Sequence, residues 1–196
     1  MALLIIGLIA FLGVHSIRVF APGLRAGMIE KLGKGPWMGI YSVLSIATLV
    51  LLAYGFGMAR MESGEPLYTT PAWMVHLAVT LMLVALVLAV SSVLPAGYIA
   101  TRTRHPLITS VKVWALAHLL VNGEAYSVIT FVAFLAWAVL LRIAVKRRAR
   151  AGEQTERAYV GWIWDLVSVV VGLGLAIALI KGVHMWLIGV PIPMAG

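Results

Sequence analysis

The chain alternates long apolar runs with short polar connectors. Most runs carry little or no charge, and their lengths approach the ~20 residues that span a bilayer as an α-helix. The pattern predicts helices at residues 2–17, 37–59, 72–94, 107–121, 125–145 and 159–180. We therefore expect an all-α fold, a polytopic membrane helix bundle of about six transmembrane helices that forms a single domain over residues 1–196.

The fourth apolar run differs from the others because it is short. Its 15 residues, 107–121, make a helix of about 22 Å, whereas the hydrocarbon core is ~30 Å thick. Pro106 precedes this run and the turn Asn122-Gly123 follows it. The helix must therefore extend at its ends, lie in a thinned bilayer, or stop partway across.

The first two connectors have different characters. Four apolar residues recur at helical spacing within residues 18–36: Leu24, Met28, Ile29 and Leu32. This spacing is typical of a helix that lies on the membrane surface. The second connector, residues 60–71, is acidic on balance, and Pro66 and Pro71 break any helix there.

The charge distribution supports a membrane protein and indicates its orientation. Only 11% of the residues are charged, whereas soluble domains carry about 25%. Nearly all of the 15 Lys and Arg residues lie in the first, third and fifth connectors and the adjoining helix ends. Topology signals are placed in this way, so we expect a lipid bilayer and no nucleic acid as the partner. The positive-inside rule places both termini outside, which is the periplasm for a bacterial inner-membrane protein, and it favours six spans over a re-entrant fourth helix.

Missing residue types and motifs exclude several kinds of site. The chain has no cysteine, which excludes disulfides, iron–sulfur clusters, thiolate-ligated haem and covalent haem attachment. It also lacks a Gly-rich phosphate loop, a nucleophile elbow and a zinc-binding HExxH pattern. No catalytic residue can be named from the sequence.

Histidine is the residue type with the clearest potential for chemistry. The five histidines are His15, His76, His105, His118 and His184. In a membrane protein without cysteine, imidazole is the expected ligand of a b-type haem iron. His118 is the strongest candidate, because Trp114 and Asn122 lie one turn away on the same helix face and could wall a flat pocket. The alternative is that Trp114 packs and Asn122 caps the helix.

Two further groups of polar residues each allow more than one interpretation. His105 follows Arg102 and Arg104 at the inner boundary, where the three could bind a carboxylate or phosphate. They could equally form a helix start with Pro106 and topology charges. Lys112 and Asp165 should both lie ~9 Å deep in their helices, which predicts an ion pair and, as a sharper hypothesis, a proton relay.

Five short motifs are distributed along the chain: His15-Ser16, Arg104-His105-Pro106, Trp114-x-x-Ala117-His118, PAWMVHLA around His76 and HMWLIGV around His184. Together they resemble the NnrU family. The resemblance covers nearly the whole chain and implies one NnrU-like transmembrane domain. The tripeptide Arg104-His105-Pro106 also resembles part of the isoprenylcysteine-type methyltransferases, but their other motifs are missing.

The resemblance implies a role and a cofactor. Bacterial NnrU proteins are associated with expression of nitrite and nitric oxide reductases in denitrification. Their plant relative, zeta-carotene isomerase, uses haem b to isomerise a cis double bond, and its two ligand histidines correspond to His15 and His118. A cysteine three residues before the second ligand is Ala115 here, so a thiolate-based ligand switch is not available.

Helix geometry leaves two possibilities for the second haem ligand. His118 should lie ~20 Å from the inner boundary and His15 ~5 Å, which suits a haem lying flat between them. His76 lies within about a turn of His118 in depth and would suit an upright haem. We expect a cofactor-binding set of His118, His15, His76, Trp114, His105 and Arg104. The family resemblance implies His118 and His15 as the metal ligands. The competing class is a non-catalytic subunit that packs against other membrane proteins or a second copy and binds no haem.

Overall fold

The computed structural model describes residues 1–152 and 157–192, and helices account for all of the regular structure in those ranges. The helices are α1 (Ala2–Phe20), α2 (Pro22–Leu32), α3 (Lys34–Met61), α4 (Trp73–Val93), α5 (Tyr98–Thr103), α6 (Pro106–Val121), α7 (Ala125–Arg150), α8 (Ile163–Ala178) and α9 (His184–Ile188). A five-residue π-helix, Leu179–Val183, joins α8 to α9. The predicted all-α bundle is confirmed.

Five helical stretches are long and apolar enough to cross a membrane: α1, α3, α4, α7 and the stretch Ile163–Ile188. The shorter helix α6 begins at the turn after α5 and has 16 residues. At its other end, the Tyr68 hydroxyl, from the connector between α3 and α4, donates to the carbonyls of Leu119 and Asn122. Because α6 joins connectors at opposite ends of the bundle, it runs through the bundle and does not turn back.

The two ends of the bundle have different charge. We call the end with Arg18, Arg25, Lys34, Arg148 and Arg157 the basic end. At the opposite end the Met1 amino group lies 3.1 Å from a Glu62 carboxylate oxygen. The Arg60 guanidinium also donates there to the carbonyls of Ile188 and Gly189, at 2.9 and 3.3 Å. Met1 and Gly189 therefore lie at the same end, as an even number of crossings requires.

Small residues allow close helix packing. Helices that pack side by side follow the order α3, α1, α7, α6, α4, α8. Between α1 and α3, a Cβ at Gly7 would lie 2.7 Å from Leu52 Cα, and a Cβ at Gly55 would lie 2.7 Å from Leu4 N. Any larger residue would clash at these two positions, so both must be glycine. The close backbone contact that results is a main source of helix association in lipid.

Helix α4 is the centre of the second half of the bundle, with α6 on one side and α8 on the other. The Ser110 hydroxyl of α6 is buried and donates to the Ala85 carbonyl of α4 at 2.7 Å. On the other side, a Cβ at Gly172 of α8 would lie 2.8 Å from a methyl group of Val87. One polar and one close backbone contact thus fix α6 and α8 to α4.

The outward faces of the bundle are apolar, as a lipid-facing surface requires. Ile9 is 70% exposed, Val43 67%, Ile46 63% and Val170 60%. Such side chains in water would oppose folding, whereas in hydrocarbon they cost little. The predicted membrane environment is therefore supported by the surface as well as by helix length.

Two connectors contain structure beyond the predicted helices. The amphipathic spacing in the first connector does form a helix, α2, and α5 follows α4 where no helix was expected. The last long helix starts at Ile163, not Tyr159, because the preceding residues pair with the turn after α4. Val160 N–H donates to the Ala96 carbonyl at 2.8 Å. Glu153 and Glu156 of the charged connector lie outside the described residues.

Candidate functional site

His118 lies on α6 inside a cluster of aromatic rings. Its Nδ1 is 2.9 Å from the Trp114 carbonyl one turn earlier. The Trp114 ring lies 5.2 Å away between centroids, and Phe131 of α7 stacks on the imidazole at 4.5 Å and 28°. The Asn122 side-chain amide donates to the His118 carbonyl at 2.8 Å, so it caps the end of α6. With Nδ1–H donated to a carbonyl, Nε2 keeps the lone pair that a metal needs.

His15 on α1 has the same arrangement. Its Nδ1 is 2.8 Å from the Phe11 carbonyl one turn earlier. The Phe11 ring lies 4.2 Å from the imidazole, and Tyr41 of α3 approaches it edge-on at 5.9 Å. His15 is thus also prepared as an Nε2 ligand by its own helix.

Three aromatic side chains fill the space between these histidines. We call Phe11, Phe134 and Trp114 the aromatic row. Phe11 lies 5.9 Å from Phe134, and Phe134 lies 5.2 Å from Trp114 in an edge-to-face arrangement. His15 and His118 stand at opposite ends of this row. The structure therefore does not bring the two imidazoles to a shared gap.

A cavity of about 300 Å³ at the basic end contains two of the predicted residues. We call it the His15 cavity, because His15 lines it together with His105, Arg18 and Arg148. Its apolar wall is formed by Val19, Ile108, Leu141 and Val145. Two imidazoles and two guanidiniums thus meet in one space, and the sequence did not indicate that His15 and His105 would meet.

The electrostatics of the His15 cavity favour a neutral imidazole and a bound anion. Burial lowers the pKa of His105, and the positive charges of Arg142 and Arg104 lower it further. A neutral imidazole keeps an acceptor nitrogen. The guanidiniums of Arg18 and Arg148 remain charged, and they are suited to a carboxylate or phosphate.

Arg104 and His105 form a strained turn between α5 and α6. Arg104 has φ 61°, a left-handed conformation that non-glycine residues rarely adopt. The turn reverses the chain so that Pro106 starts α6, and it places His105 at the N-terminus of that helix. Backbone strain of this kind persists where the surrounding structure imposes it, often beside a functional site.

The remaining histidines lie elsewhere. His76 is exposed on α4 and takes no part in the aromatic row. His184 begins α9, and its Nδ1 lies 2.7 Å from the Val190 carbonyl. Across residues 1–152 and 157–192, no three side chains of His, Cys, Asp or Glu come close enough to hold a metal ion.

Comparison with known protein families identifies the family of this chain. The NnrU protein family matches residues 3–192, nearly the whole chain. This chain belongs to the NnrU family. No curated protein and no solved structure matches it.

Sequence reasoning missed a residue of this NnrU chain that holds His15 in place. The Trp137 indole of α7 donates to the Ser16 hydroxyl at 2.9 Å, and that hydroxyl donates to the Leu12 carbonyl at 2.6 Å. The link fixes α1 to α7 next to His15. A tryptophan in the middle of a predicted span, where its N–H must find a partner, was the available signal.

The predicted ion pair between Lys112 and Asp165 is wrong. In the described ranges, the sole ion pair within 4.0 Å joins the Met1 amino group to Glu62. Helix α4 lies between α6 and α8 and therefore separates the helices that carry Lys112 and Asp165. The Asp165 carboxylate instead accepts the backbone N–H groups of Tyr98 and Ile99, so a proton relay through the pair also loses its basis.

Proposed function

We propose that this NnrU protein binds haem b in the His15 cavity, where His15 would hold the iron. The observation that carries the proposal is the meeting of His15, His105, Arg18 and Arg148 in one cavity with an apolar wall. Haem b has an iron that takes imidazole, a flat apolar ring and two anionic propionates, so the donor set fits each part of it. A bound haem would supply redox and gas-binding chemistry at its iron.

The chain's own residues would prepare and orient such a ligand. The hydrogen bond from His15 to the Phe11 carbonyl fixes its tautomer and leaves Nε2 for iron. Arg18 and Arg148 would pair with the propionates. The link between Ser16 and Trp137 holds α1 against α7 and keeps His15 at the cavity wall.

A second histidine that would hold the iron has two candidates. His105 shares the cavity with His15, and its depressed pKa favours the neutral form that ligation needs. The family resemblance implies His118 instead, but this ligand would require the aromatic row of Phe11, Phe134 and Trp114 to open. The geometry favours His105.

The test is the absorption spectrum of the purified protein with its histidine variants. We expect a Soret band in the wild type, its loss in His15→Ala and a five-coordinate spectrum in His105→Ala. His118→Ala should keep the wild-type spectrum, and His76→Ala, which changes an exposed imidazole, is the matched control. If His118→Ala loses the low-spin haem spectrum and His105→Ala retains it, the haem is bound at the aromatic row and not in the His15 cavity.

For the physiological role, we propose redox or nitric-oxide-linked support of denitrification. Isomerisation of a polyene is the second role that haem would allow. The position of the cysteine in the plant relative is Ala115, which is fully buried and offers no thiol. In a denitrifying strain that lacks its NnrU protein, the wild-type gene should restore nitrite and nitric oxide reductase levels, and His15→Ala should not.

The second candidate function is a non-catalytic membrane subunit without haem. The filled aromatic row favours it, because the space between His15 and His118 already holds protein side chains. Protein that is purified after growth with excess haem and shows no Soret band would support this function. The apolar surface would then pack against another membrane protein or a second copy.

We also propose the bacterial inner membrane as the location, with both termini in the periplasm. The concentration of Arg18, Arg25, Lys34 and Arg148 at one end of the bundle supports this orientation through the positive-inside rule.

A further inference from the structure

A second cavity of about 300 Å³ opens at the basic end, between α1, α2 and α3. We call it the α1–α3 cavity. Its polar lining consists of Arg18, Arg25, Lys34, Trp37, Tyr41 and Ser42. We infer that this cavity binds the phosphate group of an anionic phospholipid.

Three cations line the α1–α3 cavity. Arg18, Arg25 and Lys34 come from three different helices, and no acidic side chain is among the described residues of the lining. Glu30 is the carboxylate of α2, and within the described residues neither it nor the three cations form an ion pair. Because like charges that converge without a counter-charge repel one another, an anion between them lowers the energy of the folded state.

The polar and aromatic groups fit a lipid headgroup. The Trp37 side chain is only 8% exposed, and its ring lies 6.4 Å from that of Tyr41. Tryptophan and tyrosine rings are favoured at the headgroup level of a bilayer. The Ser42 hydroxyl adds a donor for a phosphate oxygen.

The surface next to the cavity distinguishes a lipid from free phosphate. The cavity side of helix α3 continues as an apolar face: Met38, which lines the cavity, is 57% exposed, Ile46 63% and Leu49 49%. An acyl chain would lie along this face while its phosphate occupied the cavity. Basic pockets between transmembrane helices at a cytoplasmic surface recognise anionic lipid headgroups in this way.

The experiment measures quenching of Trp37 fluorescence by brominated lipid. The full chain is placed in phosphatidylcholine nanodiscs that contain increasing amounts of brominated phosphatidylglycerol. The Trp37→Phe variant gives the signal to subtract. We expect brominated phosphatidylglycerol to quench Trp37 at a much lower mole fraction than brominated phosphatidylcholine does. Equal quenching by the two lipids would by itself overturn the inference.

Charge variants test the cations directly. In the double variant Arg25→Gln, Lys34→Gln, half-quenching should need roughly 25-fold more phosphatidylglycerol, about fivefold for each cation removed. The matched control is Lys31→Gln, Arg147→Gln, which removes two exposed basic-end cations that do not line the cavity. Arg18 is left unchanged because it also lines the His15 cavity. A double variant that quenches like the wild type would overturn the inference.

Inorganic phosphate separates the two sources of the anion. Added as a competitor, it should leave quenching by phosphatidylglycerol unchanged. If millimolar phosphate displaces the lipid from both the wild type and the control pair, the occupant is free phosphate and the lipid assignment is wrong. The charge-preserving variant Arg25→Lys, Lys34→Arg should keep the wild-type quenching.

Discussion

The carboxylate of Asp165 occupies the space that a Cβ at Gly97 would need. From this position its two oxygens accept the N–H groups of Tyr98 and Ile99, at 2.7 and 2.8 Å. These are the first N–H groups of α5, which have no partner within the helix. A side chain of α8 thus caps a helix that is distant in the sequence, and glycine is the residue that lets it approach.

Asp165→Ala should destabilise the protein by about 2 kcal/mol, because two charge-assisted hydrogen bonds are lost at a helix N-terminus. Gly97→Val should cost at least as much, since the new side chain expels the carboxylate. Thermal unfolding in detergent micelles measures both effects. Adding Lys112→Met to Asp165→Ala should give an additive change; a coupling above about 1 kcal/mol would restore the rejected ion pair.

Tyr68→Phe should loosen the end of α6. The lost hydroxyl donates to the carbonyls of Leu119 and Asn122, and one such bond contributes about 1 kcal/mol. Hydrogen exchange in residues 119–123 should rise, whereas Tyr54→Phe, which changes a tyrosine 63% exposed on α3, should have no effect there.

The ionisation of Tyr68 adds a pH dependence to this contact. Burial and the nearby Glu124 charge raise the pKa of the Tyr68 hydroxyl above 10.0. As the pH rises past 10.0, the unfolded chain loses this proton first, so stability falls. The Tyr68→Phe variant should lack this part of the alkaline destabilisation.

The apolar runs predicted the helices of this fold well. Helix length and composition are local properties, so the five long helical stretches and the shorter α6 could be placed from the sequence alone. The caps could not. Arg157 donates to the carbonyls of Ser91, Ser92 and Leu94 at the end of α4, and such contacts depend on which connectors meet in space.

The candidate site was predicted residue by residue but not as an arrangement. His15, His118 and Trp114 could be chosen because polar and aromatic groups inside a span are unusual. The depth of a residue along its helix does not say in which direction its side chain points or which helix it faces. The side chains of Phe11 and Phe134 carry no polar group that would single them out in the sequence, yet they separate His15 from His118 in the structure.

His105 should titrate below its ordinary pKa of 6.5, because burial and the charges of Arg142 and Arg104 disfavour its protonated form. As the pH falls below 6.5, the unfolded chain takes up this proton first, so His105 lowers the stability of the fold. Histidine-selective NMR of the haem-free protein in micelles measures the midpoint, with His105→Gln for assignment. Arg142→Gln should raise the midpoint; Arg147→Gln, an exposed cation further along α7, should leave it unchanged.

Helix α7 should separate two reporter positions across the membrane. Gly123, just before α7, contacts the α3–α4 connector through a hydrogen bond from Leu67 N–H to its carbonyl at 2.8 Å. Gly152 follows α7 at the basic end. Alkaline phosphatase fused after Gly123 should therefore be active in the periplasm, and a fusion after Gly152 should be inactive.

A fusion after Gly64, in the same connector as Leu67, is the control and should match Gly123. Activity at both Gly123 and Gly152 would mean that α7 does not cross, whereas the reversed pattern would mean that the basic end faces the periplasm.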